Sequence, residues 1–300
     1  MSVDSEDETA ESAPRRAPNT PTGDAVRAAL DTVTDPELDR SIVELDYVDE
    51  VRIESADESS ADRETASRDS GDSGARVIVE FTLPTAWCSP AFAWMMASDA
   101  RDAVESMAGV AECTVRLREH MHETEVNEGV NGGRSFADSF PDAEGGVAEV
   151  RATLDSKARV ARQYDAVEAL LDAGLRHEQV AEVTRGDLEP LPSEGRMAVY
   201  LRDRSVGVEV PSAPLVRYLR KADDVSLFDD ADERNSSARE TESRDGDDRV
   251  FRTPEGDPIP PERAELVHRR ARLASVNMDG QGGVCDALHE ARRKELARDD

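Results

Sequence analysis

Lysine is nearly absent from this chain. Of its 37 basic residues only Lys157, Lys221 and Lys294 are lysines, and the rest are arginines interspersed with acids. Set against 66 acidic residues, this leaves a net charge of −29 over 300 residues. No continuous basic stripe exists, which argues against a nucleic-acid binder, since that class carries a basic face to meet phosphates. The acidic, lysine-poor balance looks like that of proteins in a high-salt cytoplasm, where carboxylates hold surface water and salt screens their repulsion. Cysteine is also scarce. Cys88, Cys113 and Cys285 are too few and too scattered for a disulfide framework, and no CxxC pair occurs. No apolar run is long enough to cross a bilayer, and the first residues lack a basic-then-apolar signal region. The expectation is a cytoplasmic protein with reduced thiols and no membrane partner. P-loop, GxGxxG, HExxH and GxSxG motifs are all missing, so nothing points to the enzyme classes they mark.

Residues 1–23 are polar, acidic and proline-containing, as in a disordered tail. Val26, Ala29, Leu30 and Val33 then recur at helical spacing, with Asp35-Pro36 as the stop. Val48, Val51 and Ile53 mark a strand. Residues 56–75 form a serine- and acid-rich insertion, and Arg76–Leu83 is a β-branched run that predicts a second strand. Phe92, Met96, Ala100, Ala103, Val104 and Met107 share a helix face, and Gly109 suits the exit from it. Ala111–Leu117 alternates as a third strand, which makes Cys113 a packing residue beside Val115 and Leu117.

The order helix, strand, strand, helix, strand predicts an α+β unit over residues 24–119 with a three-stranded sheet. Residues 120–146 read as a polar linker. Residues 147–300 read as a mostly helical extension, opened by a long helix over Val147–Ala173 and interrupted by a second acidic insertion at 229–249. Met197–Val210 fits no single pattern. Gly280-Gln281-Gly282-Gly283 predicts a tight turn, so that Cys285 would open a last helix.

Leu83-Pro84-Thr85-Ala86-Trp87-Cys88-Ser89-Pro90 is the most informative stretch. A strand stops at a proline, and a single cysteine then stands where a helix begins. Free N–H groups and the macrodipole there stabilise a thiolate, the form that binds metals and attacks electrophiles. A small buried hydrophobe beside Trp87 is the plainer alternative. Cys285 repeats the arrangement, and the two thiolates could share one metal if the extension folds back on the first unit. His120 and His122 sit at i and i+2, on one face if the third strand continues, and imidazole pairs suit iron or zinc; two histidines in an exposed polar segment are more often plain surface residues.

Asp35-Pro36-Glu37, then Ser41-Ile42-Val43-Glu44-Leu45 with Val48, a strand ending in Thr82, Cys88 at a helix start, and Gly109-Val110 before Val115 form an ordered set. In that order they resemble the PaaD-like iron–sulfur (metal–sulfur) cluster assembly domain family, in its long form with a C-terminal extension. The common family pattern flanks the cysteine with prolines, whereas here Ala86-Trp87 precede it and Ser89 separates it from Pro90.

The resemblance implies a non-catalytic maturation factor that delivers or inserts iron or an iron–sulfur cluster, held transiently, into a client metalloenzyme. Cys88 would be the key thiolate, and Cys285, His120 and His122 further candidate ligands. Asp35, Glu37 and Thr85 would support the loop. Client metalloenzymes and other cluster-assembly proteins would be the partners, with a homodimer as a further option. One cysteine cannot hold a cluster alone, since common clusters take four protein ligands. A metal-free adaptor docking on a metalloenzyme is the first alternative. A cysteine-dependent thiol enzyme is the second; it would need an orienting histidine such as His120.

Overall fold

The computed structural model describes residues 20–54, 74–143, 146–193, 195–201, 204–228 and 248–299. The expected acidic tail and both acidic insertions fall almost wholly outside the described residues. Helix α1 (Gly23–Leu30) starts at Thr22, whose Oγ1 accepts the Ala25 N–H at 3.0 Å. It ends at Leu30, ahead of the expected Asp35-Pro36 stop. Asp35 belongs instead to a short antiparallel pair, β1 (Thr34–Asp35) with β2 (Arg40–Ser41). Its Oδ1 accepts the N–H groups of Glu37 at 2.8 Å and Leu38 at 3.1 Å, a local turn that competes with helix.

The first sheet has the order β3-β4-β5. β3 (Val48–Glu54) runs antiparallel to β4 (Ala75–Thr82), and β5 (Val110–Arg118) runs parallel to β4. A parallel neighbour demands a crossover, supplied by α2 (Pro90–Glu105). Val77, Val79 and Phe81 lie in register with Cys113, Val115 and Leu117, and all six are buried. Against that face pack α1 through Val26 and Leu30 and α2 through Ala93, Met96, Ala97, Ala100 and Val104. The chain leaves α2 through Gly109 at φ +86, whose carbonyl takes the Ala75 N–H at 2.7 Å. The sheet's other face carries a charge ladder in which Glu80 pairs with Arg52 at 2.9 Å and Arg116 at 3.0 Å.

The stretch read as a polar linker carries two helices, α3 (Glu123–Asn131) and α4 (Phe136–Ser139). Helix α3 covers the open edge of β5. Asn127 bonds both the N–H and the carbonyl of Leu117 (2.8 and 3.0 Å), and Asn131 does the same for Val115 (2.9 and 2.7 Å). Two asparagines one turn apart thus satisfy alternate residues of an edge strand, whose unpaired groups would otherwise invite another chain. Phe136 and Phe140 meet the Trp94 ring edge-on at 5.6 and 6.2 Å. The periodicity was too polar to show this, because only Val126, Gly129 and Val130 of α3 are buried.

The extension has its own core. Helix α5 (Val147–Asp172) lies along α7 (Ser212–Asp224) and the last helix, and α6 (His177–Ala181) follows α5. The unassigned Met197–Val210 run is a hairpin, β7 (Arg196–Leu201) and β8 (Val206–Pro211), joined by β6 (Leu188–Pro190) into a second antiparallel sheet ordered β6-β7-β8. The fold is therefore α+β with three-stranded sheets and a helical C-terminal region.

The expected turn at Gly280–Gly283 does not form. A single helix, α8 (Ala264–Asp299), runs through it, and Cys285 lies inside that helix rather than at its start. Each interior glycine costs about 1 kcal/mol against alanine. Burial of Val267 and Ala271 before the glycines, and contact of Cys285 with the first core after them, offset that cost.

Ion pairs join the two units. Asp39, buried and at φ +52, takes the Arg162 guanidinium and lies 3.5 Å from Lys221 Nζ, which also reaches Asp155 at 2.6 Å. Arg151 grips the Asp99 carboxylate with two bonds of 2.8 and 3.0 Å.

Candidate thiol site

The site lies where β4 ends and the chain turns towards α2. Thr85 Oγ1 accepts the Trp87 N–H at 3.0 Å and stands 3.7 Å from Cys88 Sγ, so one hydroxyl both shapes the turn and solvates the thiol. Ser89 holds the position just before α2, with no side-chain bond to the helix, and Pro90 is the first residue of α2. Cys88 therefore sits just ahead of the helix start and is half-buried. Trp87 beside it is 76% exposed.

His120 holds this turn from the end of β5. Its Nε2 lies 3.0 Å from the Cys88 carbonyl, and its Nδ1 accepts the His122 N–H at 3.2 Å. The carbonyl can only accept, so Nε2 carries the proton and the ring is neutral. Burial lowers the His120 pKa, against the opposing pull of its bond to the Cys88 carbonyl. The backbone of Met121 adds an N–H to the Ala86 carbonyl at 3.0 Å. His122 packs on Phe140 at 5.4 Å and lies 4.0 Å from Glu125. The two rings lie 6.0 Å apart, each with a further partner of its own.

Behind the thiol stands Tyr47, buried, with its hydroxyl 3.4 Å from Asp35 Oδ2. Burial raises the Tyr47 pKa above the ordinary tyrosine range. The Asp35 carboxylate adds to the rise. Burial likewise pushes the Asp35 carboxyl up, opposed by its bonds from Glu37, Leu38 and Tyr47. Glu37 is raised by burial and then by Asp35. Asp35 acts as the knot of its turn; Glu37 flanks it on the outer side.

Helix α8 closes this end of the first unit. Cys285 packs against the first core, and the His289 ring lies 5.4 Å from that of Tyr47. Arg292 reaches the Leu83 carbonyl at 2.7 Å, the Glu119 carbonyl at 2.9 Å and the Glu119 carboxylate. The fold-back that would bring Cys285 to Cys88 is therefore present, although Cys285 arrives from mid-helix. Among the described residues, no three His, Cys, Asp or Glu side chains form a set that could hold a metal ion. Cys113 is buried, its thiol pushed up to about 12 by burial and then by Glu105.

Tyr47, His289 and Arg292 carried no signal in the sequence reading. Tyr47 follows the Ser41–Leu45 segment at the entrance to β3, and His289 lies one helical turn beyond Cys285, a spacing that marks one face once the helix is known to be continuous.

Comparison with known proteins gives one family. Residues 23–59 match the model described as iron-sulfur cluster assembly protein, which covers α1 to β3 and includes Asp35, Glu37 and Tyr47. That match supports a general part in iron–sulfur cluster assembly. No curated protein and no solved structure matches the chain. No helix among the described residues is long and apolar enough to cross a membrane.

Proposed function

We propose that this chain is a maturation factor that takes up iron or an iron–sulfur cluster as cargo on Cys88 and passes it to a client metalloenzyme. The observation that carries the reading is that Cys88, just ahead of the α2 start with the Thr85 hydroxyl 3.7 Å from its sulfur, and Cys285 both pack against the first core. Two thiolates supply half of the four protein ligands usual for a cluster. A donor set that stays incomplete suits a carrier, because a client or a small thiol can complete it and then draw the cargo away. Thr85 and His120 act as positioning residues: one hydroxyl meets the sulfur, and one imidazole fixes the carbonyl of the same cysteine. Both nitrogens of His120 are engaged, so its part in this reading is structural.

Anaerobic reconstitution with iron and sulfide in molar salt tests the proposal, read by visible absorption and metal analysis. Bound iron should vanish in Cys88→Ser and fall in Cys285→Ser, while both variants keep the unfolding midpoint of the parent. Full iron content in Cys88→Ser would sink the reading. Trp87, exposed beside the thiol, favours a second reading in which the chain is a metal-free adaptor. In that case Trp87→Ala would abolish capture of the client and Cys88→Ala would leave its maturation intact.

A further inference from the structure

Helix α8 carries an apolar face that the described residues leave exposed. Leu273, Val276, Val284 and Leu288 are 67%, 55%, 60% and 43% exposed. At about 100° per residue they fall, with Asn277 and Gly280, in a stripe about 120° wide. The opposite side of the helix is the one turned to the body, through Val267, Ala271 and Cys285. Isolated surface aliphatics need no explanation, whereas a continuous stripe along one helix does.

Three features identify what covers it. The stripe reads alike in both directions about Gly280: a valine stands one turn away on either side, at 276 and 284, and a leucine two turns away, at 273 and 288. Because of it, a second helix running antiparallel also meets valine with valine and leucine with leucine. Gly280 and Gly283 sit inside the helix, where each costs about 1 kcal/mol relative to alanine. A Cβ added at either meets nothing within 4 Å, so nothing among the described residues requires their smallness. Close approach of another backbone does require it. Finally, Arg272 is exposed on one flank of the N-terminal half, and Glu290, which pairs with Lys294 in its own helix, is exposed on the same flank of the C-terminal half. Reversal by a two-fold axis sets the arginine of one copy beside the glutamate of the other.

We propose that α8 pairs antiparallel with α8 of a second copy of this chain, across a two-fold axis at Gly280. Val276 then meets Val284 of the second copy, and Leu273 meets Leu288. The contact runs about 22 Å along each helix at 1.5 Å per residue. It leaves the Cys285 face turned inward to the first core in both copies and holds the glycine-bearing middle of the helix straight. The pairing is independent of what Cys88 carries.

Sedimentation velocity of the full chain in molar salt, at its highest soluble concentration, should give twice the monomer mass. The double variant Val276→Asp, Val284→Asp should sediment as a monomer with unchanged circular dichroism. Register is read separately by diamide oxidation, with the unsubstituted chain as blank. Gly280→Cys stands on the axis opposite its own copy and should give a disulfide-linked dimer on a non-reducing gel. Leu273→Cys should not, because its two copies lie about 21 Å apart along the axis. A monomeric parent chain, or a double variant that remains dimeric, would overturn the proposal. So would cross-linking of Leu273→Cys as readily as Gly280→Cys, which would mean a parallel pair.

Discussion

Replacing Arg292 with alanine should release the C-terminal half of α8 from the thiol site without unfolding either core. The guanidinium is 16% exposed and serves the Leu83 carbonyl, the Glu119 carbonyl and the Glu119 carboxylate. Leu83 is buried, so its carbonyl loses a charged donor with little water to replace it. Leaving such an acceptor unmet costs about 1–3 kcal/mol. The pair with Glu119 adds little, since that carboxylate is half exposed and screened by salt, and such pairs contribute about 0–1 kcal/mol. The sum is about 1–4 kcal/mol. At about 1.4 kcal/mol per decade this raises the undocked population about 5- to 700-fold. Alkylation of Cys285 by a maleimide reports that population, because the thiol is half-buried against the first core while docked. Its rate should rise by up to that factor in Arg292→Ala, with the far-ultraviolet spectrum little changed. An unchanged rate would refute the docking of α8 as the structure draws it.

Three further outcomes follow from packing and charge. Gly129→Ala would drive a methyl into the Trp94 ring and Ser139 Oγ, and a loss of about 1–3 kcal/mol is expected in denaturant titration. Asp39→Asn keeps a side chain that tolerates positive φ but removes the charge between Arg162 and Lys221. Breaking a buried pair in this way costs about 3–5 kcal/mol, and a change under half of that would mean the junction does not rely on it. Cys113, its thiol pushed up to about 12, should stay unmodified at pH 8 in the native state while Cys88 reacts, as mass spectrometry of the alkylated chain would record.

Much of the first unit was legible because its strands alternate or are β-branched and its helices bury one face. Val77, Val79 and Phe81 in β4 and Cys113, Val115 and Leu117 in β5 announce the sheet without further information. Helix α3 stayed hidden because it is held by Asn127 and Asn131 on a strand edge, a bond between distant residues that leaves no apolar period. The glycines of α8 misled for the opposite reason: a strong local turn signal was overridden by contacts on both sides of it. Cys88 stood out through its place after a strand-ending proline. Its neighbours Tyr47, His289 and Arg292 come from three separate stretches, and only the folded chain brings them to one end of the sheet.

The seat of Lys221 has a practical consequence. A chain with three lysines is nearly transparent to amine-directed reagents. Lys157 and Lys294 are exposed and should acylate at once, whereas Lys221 is buried at the junction against Asp39 and Asp155. The slow appearance of one additional adduct therefore clocks the opening of that junction. This chain carries its own gauge for the separation of its two units, with no label engineered into it.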